Sequence, residues 1–443
     1  MQTLSRGADL KILFFLLGTF FFGYNLARGF DLNFEILYLP ILIFGIYVWR
    51  KYQNEIALPK TLKVWFYILF FYWTFTVISS FTHWPLGSTA WANLNIAHNV
   101  FIFMLLGIAI YVLKPSVDFF WAFMGLAGVA VISLFVMEVH AVGGLDALER
   151  GIRLGSVYLH PVKMGVFANG VFIILMGSLP WAFRKGWSFF SIWIILVSLV
   201  FLAIVFSQTR QAWIGWPEAL IAWSVYYVYY FRDTLNIRPY KVVIAIFALI
   251  LLIAATLTVT PAKKLFVDRV NLAFNNVSEY LDRQTFRSSV GERLISYEGG
   301  VRGIVDYPWF GVGSDQFREK QSYYTAQVAK EEFSIDFSGL DYRHMHNQYL
   351  MSWFTYGVFV FVMVLFMLGF LLVVFTKGIA NATTENKAFW VAGFVFTVAS
   401  ILVFVPDSPL VRSDTSAHFL LFSTLLLSFA LQHKHQNEPY KSN

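Results

Sequence analysis

The stretch "LDYRHMHNQYLMSWFTYGVFVFVMVLFMLGFLLVVF", residues 340–375, begins polar and ends as an unbroken apolar run. A hydrocarbon layer about 30 Å thick takes roughly 20 helical residues to cross, and the run from residue 347 onward is long enough. His344 and His346 therefore sit at the seam where the chain leaves water and enters lipid. The whole chain reads the same way. Of its 443 residues, 58% are hydrophobic, 19% aromatic and 13% charged, against roughly 25% charged in a soluble domain. Mean hydropathy is +0.62. So few polar groups cannot cover a soluble globule, and the chain is expected in a bilayer. Cysteine is absent, which removes disulfide and thiolate chemistry. The first apolar run is too long for a signal peptide and is followed at once by others, so no cleaved leader is expected.

Apolar runs near residues 10–29, 33–49, 62–81, 93–112, 117–140, 157–182, 188–206, 212–231, 241–260, 347–375, 388–405 and 416–432 predict about twelve transmembrane helices. The expected class is an all-α integral membrane protein with a large, partly helical outer loop before the tenth span. It divides as 1–260 (spans one to nine), 261–345 (outer loop), 346–432 (spans ten to twelve) and 433–443 (tail). Lys and Arg collect in alternate short loops, at Arg50, Lys51, Lys60 and Lys63, at Lys114, at Arg184 and Lys185, and at Arg232, Arg238 and Lys241. By the positive-inside bias this puts both termini in the cytoplasm and residues 261–345 on the opposite side.

The outer loop is too long to be a plain connector. "AKKLFVDRVNLAFNNVSEYLDRQ" reads as an amphipathic helix with Leu265, Val270, Phe274, Val277 and Leu281 on its apolar stripe. "GERLISYEGGVRGIV" reads as a second helix, stopped by "DYPWFGVG". No short-period repeat and no low-complexity segment is present.

Arginines on the outer side run against the positive-inside bias: Arg150, Arg153, Arg210, Arg293, Arg343 and Arg412. Planar guanidinium groups stay charged and grip phosphate with two parallel hydrogen bonds. A cluster of them at the mouth of a bundle suits a lipid diphosphate. Arg150 reads as a solvated or snorkelling side chain, and Arg412, near Asp407 and Asp414, as half of a structural ion pair. Arg210 is the sole charge between Lys185 and Glu218 and reads as functional. Arg293 and Arg302 are nine residues apart, two and a half helical turns, so at most one faces a shared site and Arg302 reads as the solvated partner. Among the histidines, His98 and His140 read as packing residues, and His433 and His435 as solvated. If a helix starts near residue 346, His346, Tyr349, Leu350 and Trp353 form one stripe headed by an imidazole suited to general-base work. No Walker loop, HExxH, DxD-type pair or Cys/His metal spacing is present, so neither ATP hydrolysis nor metal-assisted transfer is expected, and no cofactor and no nucleic-acid partner. A His base with arginines suits transfer from an already activated donor.

At this point the chain resembles the O-antigen ligase superfamily of polytopic glycosyltransferases, and within it the WaaL-type ligases. The resemblance rests on "RLGSVYLHPVKMG" at 153–165, "SQTRQAW" at 207–213, "GERLISYEGGVRGIVDYPWFGVGSDQF" at 291–317 and "HNQYL" at 346–350. It implies an inner-membrane enzyme with a periplasmic loop over a lipid-facing cavity. Glycan passes from undecaprenyl diphosphate to an acceptor sugar without metal or nucleotide, with inversion. The family's catalytic histidine falls on His346, and its phosphate-binding arginines on Arg210 and Arg293, with Arg153 at the motif before span six. His344, Arg343, Tyr349 and His160 are expected to touch the acceptor or steady the base. His160 is followed by Pro161, but Val162 stands where the family often has Asn. The same motifs serve O-antigen polymerases and protein O-oligosaccharyltransferases. The short polar tail after the last span favours the ligase, with lipid A–core as acceptor. A transporter of lipid-linked glycan is the non-enzymatic alternative, and would want polar groups at mid-membrane depth.

Overall fold

The structure, a computed structural model, describes residues 2–29, 37–144, 146, 154, 160–235, 261–382 and 386–434. The described residues are helical and contain no strand. In chain order the helices are α1 (Gln2–Gly29), α2 (Tyr38–Tyr52), α3 (Lys60–Phe81), α4 (Ser88–Leu113), α5 (Val117–Ala141), α6 (Pro161–Met176), α7 (Leu179–Arg184), α8 (Trp187–Phe206) and α9 (Arg210–Leu235). They continue as α10 (Pro261–Leu281), α11 (Gly291–Asp306), α12 (Phe317–Phe333), α13 (Gln348–Tyr356), α14 (Val358–Asn381), α15 (Lys387–Val403) and α16 (Ser413–Lys434).

Six of these are long and apolar enough to cross a membrane: α3, α4, α5, α8, α14 and α16 through Gln432. α6 and α15 are apolar but shorter. The run at 241–260, expected to be the ninth span, lies outside the described residues. The run at 157–182 is not one helix but α6 and α7, separated at Gly177 and Ser178. A Cβ on Gly177 would run into the rings of Trp223 and Trp121, so the break lies at a close approach of neighbouring helices.

α16 is the central pillar. Every residue of its spanning window is buried, and it packs on α4, α6 and α15. Two of its polar side chains are tied to neighbouring elements. Trp65 Nε1 donates to Thr424 Oγ1 (3.1 Å), and Gln432 Nε2 donates to the Pro115 carbonyl (2.8 Å). Such bonds matter where lipid offers no water to satisfy a polar group.

The polar segment carries α10, α11 and α12 around a small core of its own, Tyr280, Phe286, Ile295, Val328, Ala329, Phe333 and Leu340. α12 is absent from the sequence reading. Its buried stripe is Phe317, Gln321, Tyr324, Thr325, Val328 and Ala329, and the polar members at Gln321 and Thr325 disguise its helical period. α10 forms over the expected residues, but its expected apolar stripe does not face the core. Phe274 and Leu281 are exposed, whereas Asn276 and Tyr280 are buried. Tyr280 explains the turn of the helix: its ring meets Phe333 and its hydroxyl donates to Glu298 at 2.7 Å.

The expected tenth span also needs correction. α13 is a nine-residue helix that ends at Gly357, and the membrane-length helix is α14 beyond it. Gly357 adopts φ +84°, and a Cβ there would strike the Trp309 carbonyl. Only glycine takes that conformation so close to another backbone. The polar segment is pinned to this joint. Val358 N and Trp353 Nε1 both donate to the Pro308 carbonyl at 3.0 Å, and Val312 N donates to Phe354 O at 2.8 Å.

Candidate functional site

The starts of α4, α6 and α13, the residues leading into α12 and the segment before α16 surround a cavity of about 780 Å³. His160, His344, His346, Lys163, Arg343 and Arg412 are among its lining residues. Ligand pockets of this size hold a substantial part of a substrate.

His346 does not begin a helix as the sequence reading expected. Asn347 is the cap, its Oδ1 accepting from Leu350 N at 3.0 Å, and α13 starts at Gln348. His346 therefore precedes the helix, at φ +55°. A non-glycine residue is uncommon in that region and is held there by its surroundings. Here the hold comes from both sides. Tyr297 of α11 donates its hydroxyl to the His346 carbonyl at 2.6 Å, and His346 N donates to His344 Nδ1 at 3.3 Å. The second bond leaves the neutral His344 ring with its proton on Nε2. The two imidazoles meet edge to face, centroids 4.1 Å apart. Nδ1 of His346 is buried with no hydrogen-bond partner among the described residues.

Two long-range ties bring the segment before α16 against these histidines. Gln348 N donates to Phe404 O, and Leu410 N donates to Gln348 Oε1, both at 2.8 Å. Asp407 is thereby buried beside the pair, its Oδ2 accepting from Arg412 at 2.6 Å. Burial lowers the pKa of His344 from 6.5 to about 4, with Arg412 and Arg293 adding to the fall. His346 is pushed lower still, first by burial, then by His344, Arg293 and Arg412. Both rings are thus neutral at ordinary pH.

Arg293 lies in the first turn of α11 and contributes positive potential to both histidines. Its side chain makes no hydrogen bond or ion pair among the described residues. Arg302 instead pairs with Glu331 and with Glu332 (3.5 Å). Arg210 is the first residue of α9, and its side chain lies outside the described residues, as does the whole of Arg153. The backbone around Arg210 is firmly placed. Thr209 Oγ1 donates to the Pro161 carbonyl at 2.9 Å, and Gln211 Nε2 donates to the Pro406 carbonyl at 2.7 Å. The start of α9 therefore touches both the start of α6 and the segment carrying Asp407. Gly165 permits the approach, because a Cβ there would meet Ser207, Thr209 and Ala212.

The remaining expected residues separate. His160 caps α6, its Nδ1 accepting from Val162 N at 3.3 Å, and lines the cavity. Arg343 is exposed at the same cavity. Tyr349 is not a lining residue. Its hydroxyl donates to Ile401 O at 3.0 Å and its ring lies 6.3 Å from Phe404, inside the bundle. With His346 outside the helix, the expected His346–Tyr349 stripe has no common face.

Lys163, Arg318 and Asp315 have no role in the sequence analysis, and Asp407 enters it only as an expected ion-pair partner of Arg412, a pairing the structure shows. Lys163 pairs with buried Asp414, and Asp315 caps α4 by accepting from Gly87 N (2.6 Å) and Ala90 N (3.1 Å). An acid such as Asp407 in the otherwise apolar "ILVFVPDSPLV" (401–411) is the signal that could have marked this segment.

His344, His346 and Asp407 bring one donor atom each within 4.8 Å of one another, a spacing that could hold a metal ion. The electrostatics favour a different guest. Arg412 already neutralises Asp407, and Arg293 adds a further positive charge. That field repels a dication and attracts an anion.

Residues 195–365 match a family model described as O-antigen ligase. The match runs through the start of α9, Arg293 and His346. That match supports membership of the O-antigen ligase/polymerase superfamily. A Haemophilus influenzae protein described as uncharacterized is 26% identical over 291 residues, covering 64% of this chain and 68% of that one. Members of the superfamily are glycosyltransferase-like enzymes. The chain here is a multi-pass membrane protein, and its cavity is formed at the joint between the polar segment and the helical bundle.

Proposed function

We propose that the protein is an O-antigen ligase of the bacterial inner membrane, with both termini cytoplasmic and the cavity facing the periplasm. It transfers glycan from undecaprenyl diphosphate to a sugar hydroxyl of lipid A–core. The acceptor hydroxyl attacks the anomeric carbon, the bond from that carbon to the diphosphate oxygen breaks, and the electron pair leaves on undecaprenyl diphosphate. The hydroxyl proton passes to His346. Attack opposite the leaving group inverts the anomeric centre. Arg293 and Arg210, with Arg153, hold the diphosphate and take up its developing charge. No metal is required in this scheme.

One observation carries the reading: an uncommitted, neutral imidazole nitrogen on His346 lies in the field of Arg293, whose side chain has no ion pair or hydrogen bond among the described residues. A proton acceptor and an anion holder are thus adjacent. Their coupling solves a difficulty. An imidazole held this far below 6.5 binds protons weakly, and Arg293 is one cause. A diphosphate on Arg293 offsets that charge and raises the proton affinity of His346 in the donor complex, where it is needed. General-base assistance is typically worth about 10²–10⁴ in rate, and one preorganised charge-stabilising donor about 10²–10³.

The test uses cells lacking their own ligase, complemented with this gene or its His346→Ala variant, with lipopolysaccharide examined for its glycan ladder. A ladder restored by the unmodified gene alone supports the proposal. Free lipid-linked glycan of normal chain length and no ladder would count against lipid A–core as acceptor.

A further inference from the structure

The charged residues lining the cavity fall into two sets. In one, each charge is met by a close partner: Arg412 by buried Asp407, Lys163 by buried Asp414, and the Asp315 carboxylate by two helix N–H groups. In the other set the charges are unspent. Arg343 is exposed and makes no hydrogen bond or ion pair among the described residues. Arg318 reaches Asp341 at 3.9 Å, with the side chains 49% and 77% exposed. So open and solvated a pair contributes little and is easily given up.

Arg318 also stands in the first turn of α12, where the positive end of the helix dipole disfavours a cation. Arg343 directly precedes the neutral pair of histidines. Two guanidinium groups from separate elements are thus carried to one cavity, and neither is settled by the protein around it. The arginine assigned to the donor diphosphate, Arg293, is not among the lining residues and approaches the histidines from α11.

We infer that Arg318 and Arg343 form an anion subsite for a phosphate or carboxylate group carried by the acceptor glycan, so that the enzyme selects an acidic acceptor. The inference rests on the glycan-transfer reading of the cavity. Arg318 binds the anion at the cost of its open contact with Asp341, and the anion also meets the α12 dipole favourably. Arg343 supplies the second fork. Neither group takes part in bond making, and the subsite acts on acceptor affinity.

Binding tests this without turnover. The full-length protein in lipid nanodiscs is titrated with three soluble oligosaccharides of one sequence, bearing a phosphomonoester, a uronic carboxylate or no charge. The unmodified protein is expected to bind at least one charged form tenfold or more tighter than the neutral one, with the preference shrinking at high salt. In Arg318→Gln/Arg343→Gln the preference disappears while neutral-glycan affinity stays within twofold. Arg293→Gln retains the preference. Whether phosphate or carboxylate wins identifies the acidic group. Equal affinity for all three forms, no binding of any form, or a preference that survives in the double variant would overturn the subsite. Loss of transfer to every acceptor, measured separately, would instead speak against the ligase reading.

Discussion

Arg293→Gln separates a catalytic role from a structural one. The side chain has no hydrogen bond or ion pair among the described residues, so its removal strands no partner. Stability should therefore change by no more than about 0.5 kcal/mol, as for surface substitutions away from special features. The rate should behave otherwise. Losing one preorganised donor to developing charge costs about 3–4 kcal/mol, or 10²–10³ in transfer rate. The charge also acts on the base. Arg293 helps to hold His346 below its ordinary pKa, so its loss raises that pKa. The base works unprotonated, and the acid limb of kcat, which reports the donor complex, should consequently move to higher pH in the variant. The assay is initial-rate transfer by purified protein across pH 4–8, beside a thermal melt. Arg302→Gln is the matched control. It breaks partly exposed pairs with Glu331 and Glu332, worth about 0–1 kcal/mol, and should leave the rate alone. A rate within threefold of the parent in Arg293→Gln, or an equal fall in Arg302→Gln, would refute the reasoning.

Other perturbations follow from the same geometry. His344 has a folded pKa of about 4 against 6.5 when unfolded, so the unfolded chain binds the extra proton between those values. Stability should be lost as pH falls from about 6.5 to 4, by on the order of 3 kcal/mol, and His344→Gln should flatten this part of the melting profile. Asn347→Ala removes the α13 cap and should cost about 1 kcal/mol in a denaturation series. The rate should fall with it, because the same residue sets the backbone that presents His346. Gly357→Ala, which forces a Cβ against the Trp309 carbonyl, should lower the melting temperature by more than any surface substitution in the polar segment. Transfer should persist in excess EDTA, as the cationic field around Asp407 implies.

Membrane character is legible because crossing lipid demands length and apolarity together, and the runs at 62–81, 93–112 and 117–140 meet α3, α4 and α5 within a few residues. The breaks are less legible. Gly357 lies within an otherwise helical pattern, and only its contact with Trp309 makes it the joint between α13 and α14. α12 hides because its buried stripe includes Gln321, whose Nε2 donates to Ser296 Oγ at 2.7 Å. Hydropathy cannot register a polar side chain satisfied by a partner 25 residues away.

The site follows the same division. His346 and Arg293 stand out as residue types in motifs, and Arg302 and Arg412 as the charges with acids to pair with. Asn347 is a strong capping residue directly after His346, and reading it as the cap would have moved His346 out of the helix. Asp407 is brought beside the histidines through contacts such as Leu410 N to Gln348 Oε1, which join residues 62 apart. No local pattern encodes such a contact.

The central claim is that His346 takes the acceptor proton during transfer from a lipid diphosphate. The most direct measurement is single-turnover transfer by purified, reconstituted protein from undecaprenyl-diphosphate glycan to lipid A–core, comparing the parent with His346→Ala at matched fold and donor occupancy. The account predicts product from the parent and a rate lower by about 10²–10⁴ in the variant, with donor still bound. A variant rate within threefold of the parent, or donor left intact by the parent, would contradict it.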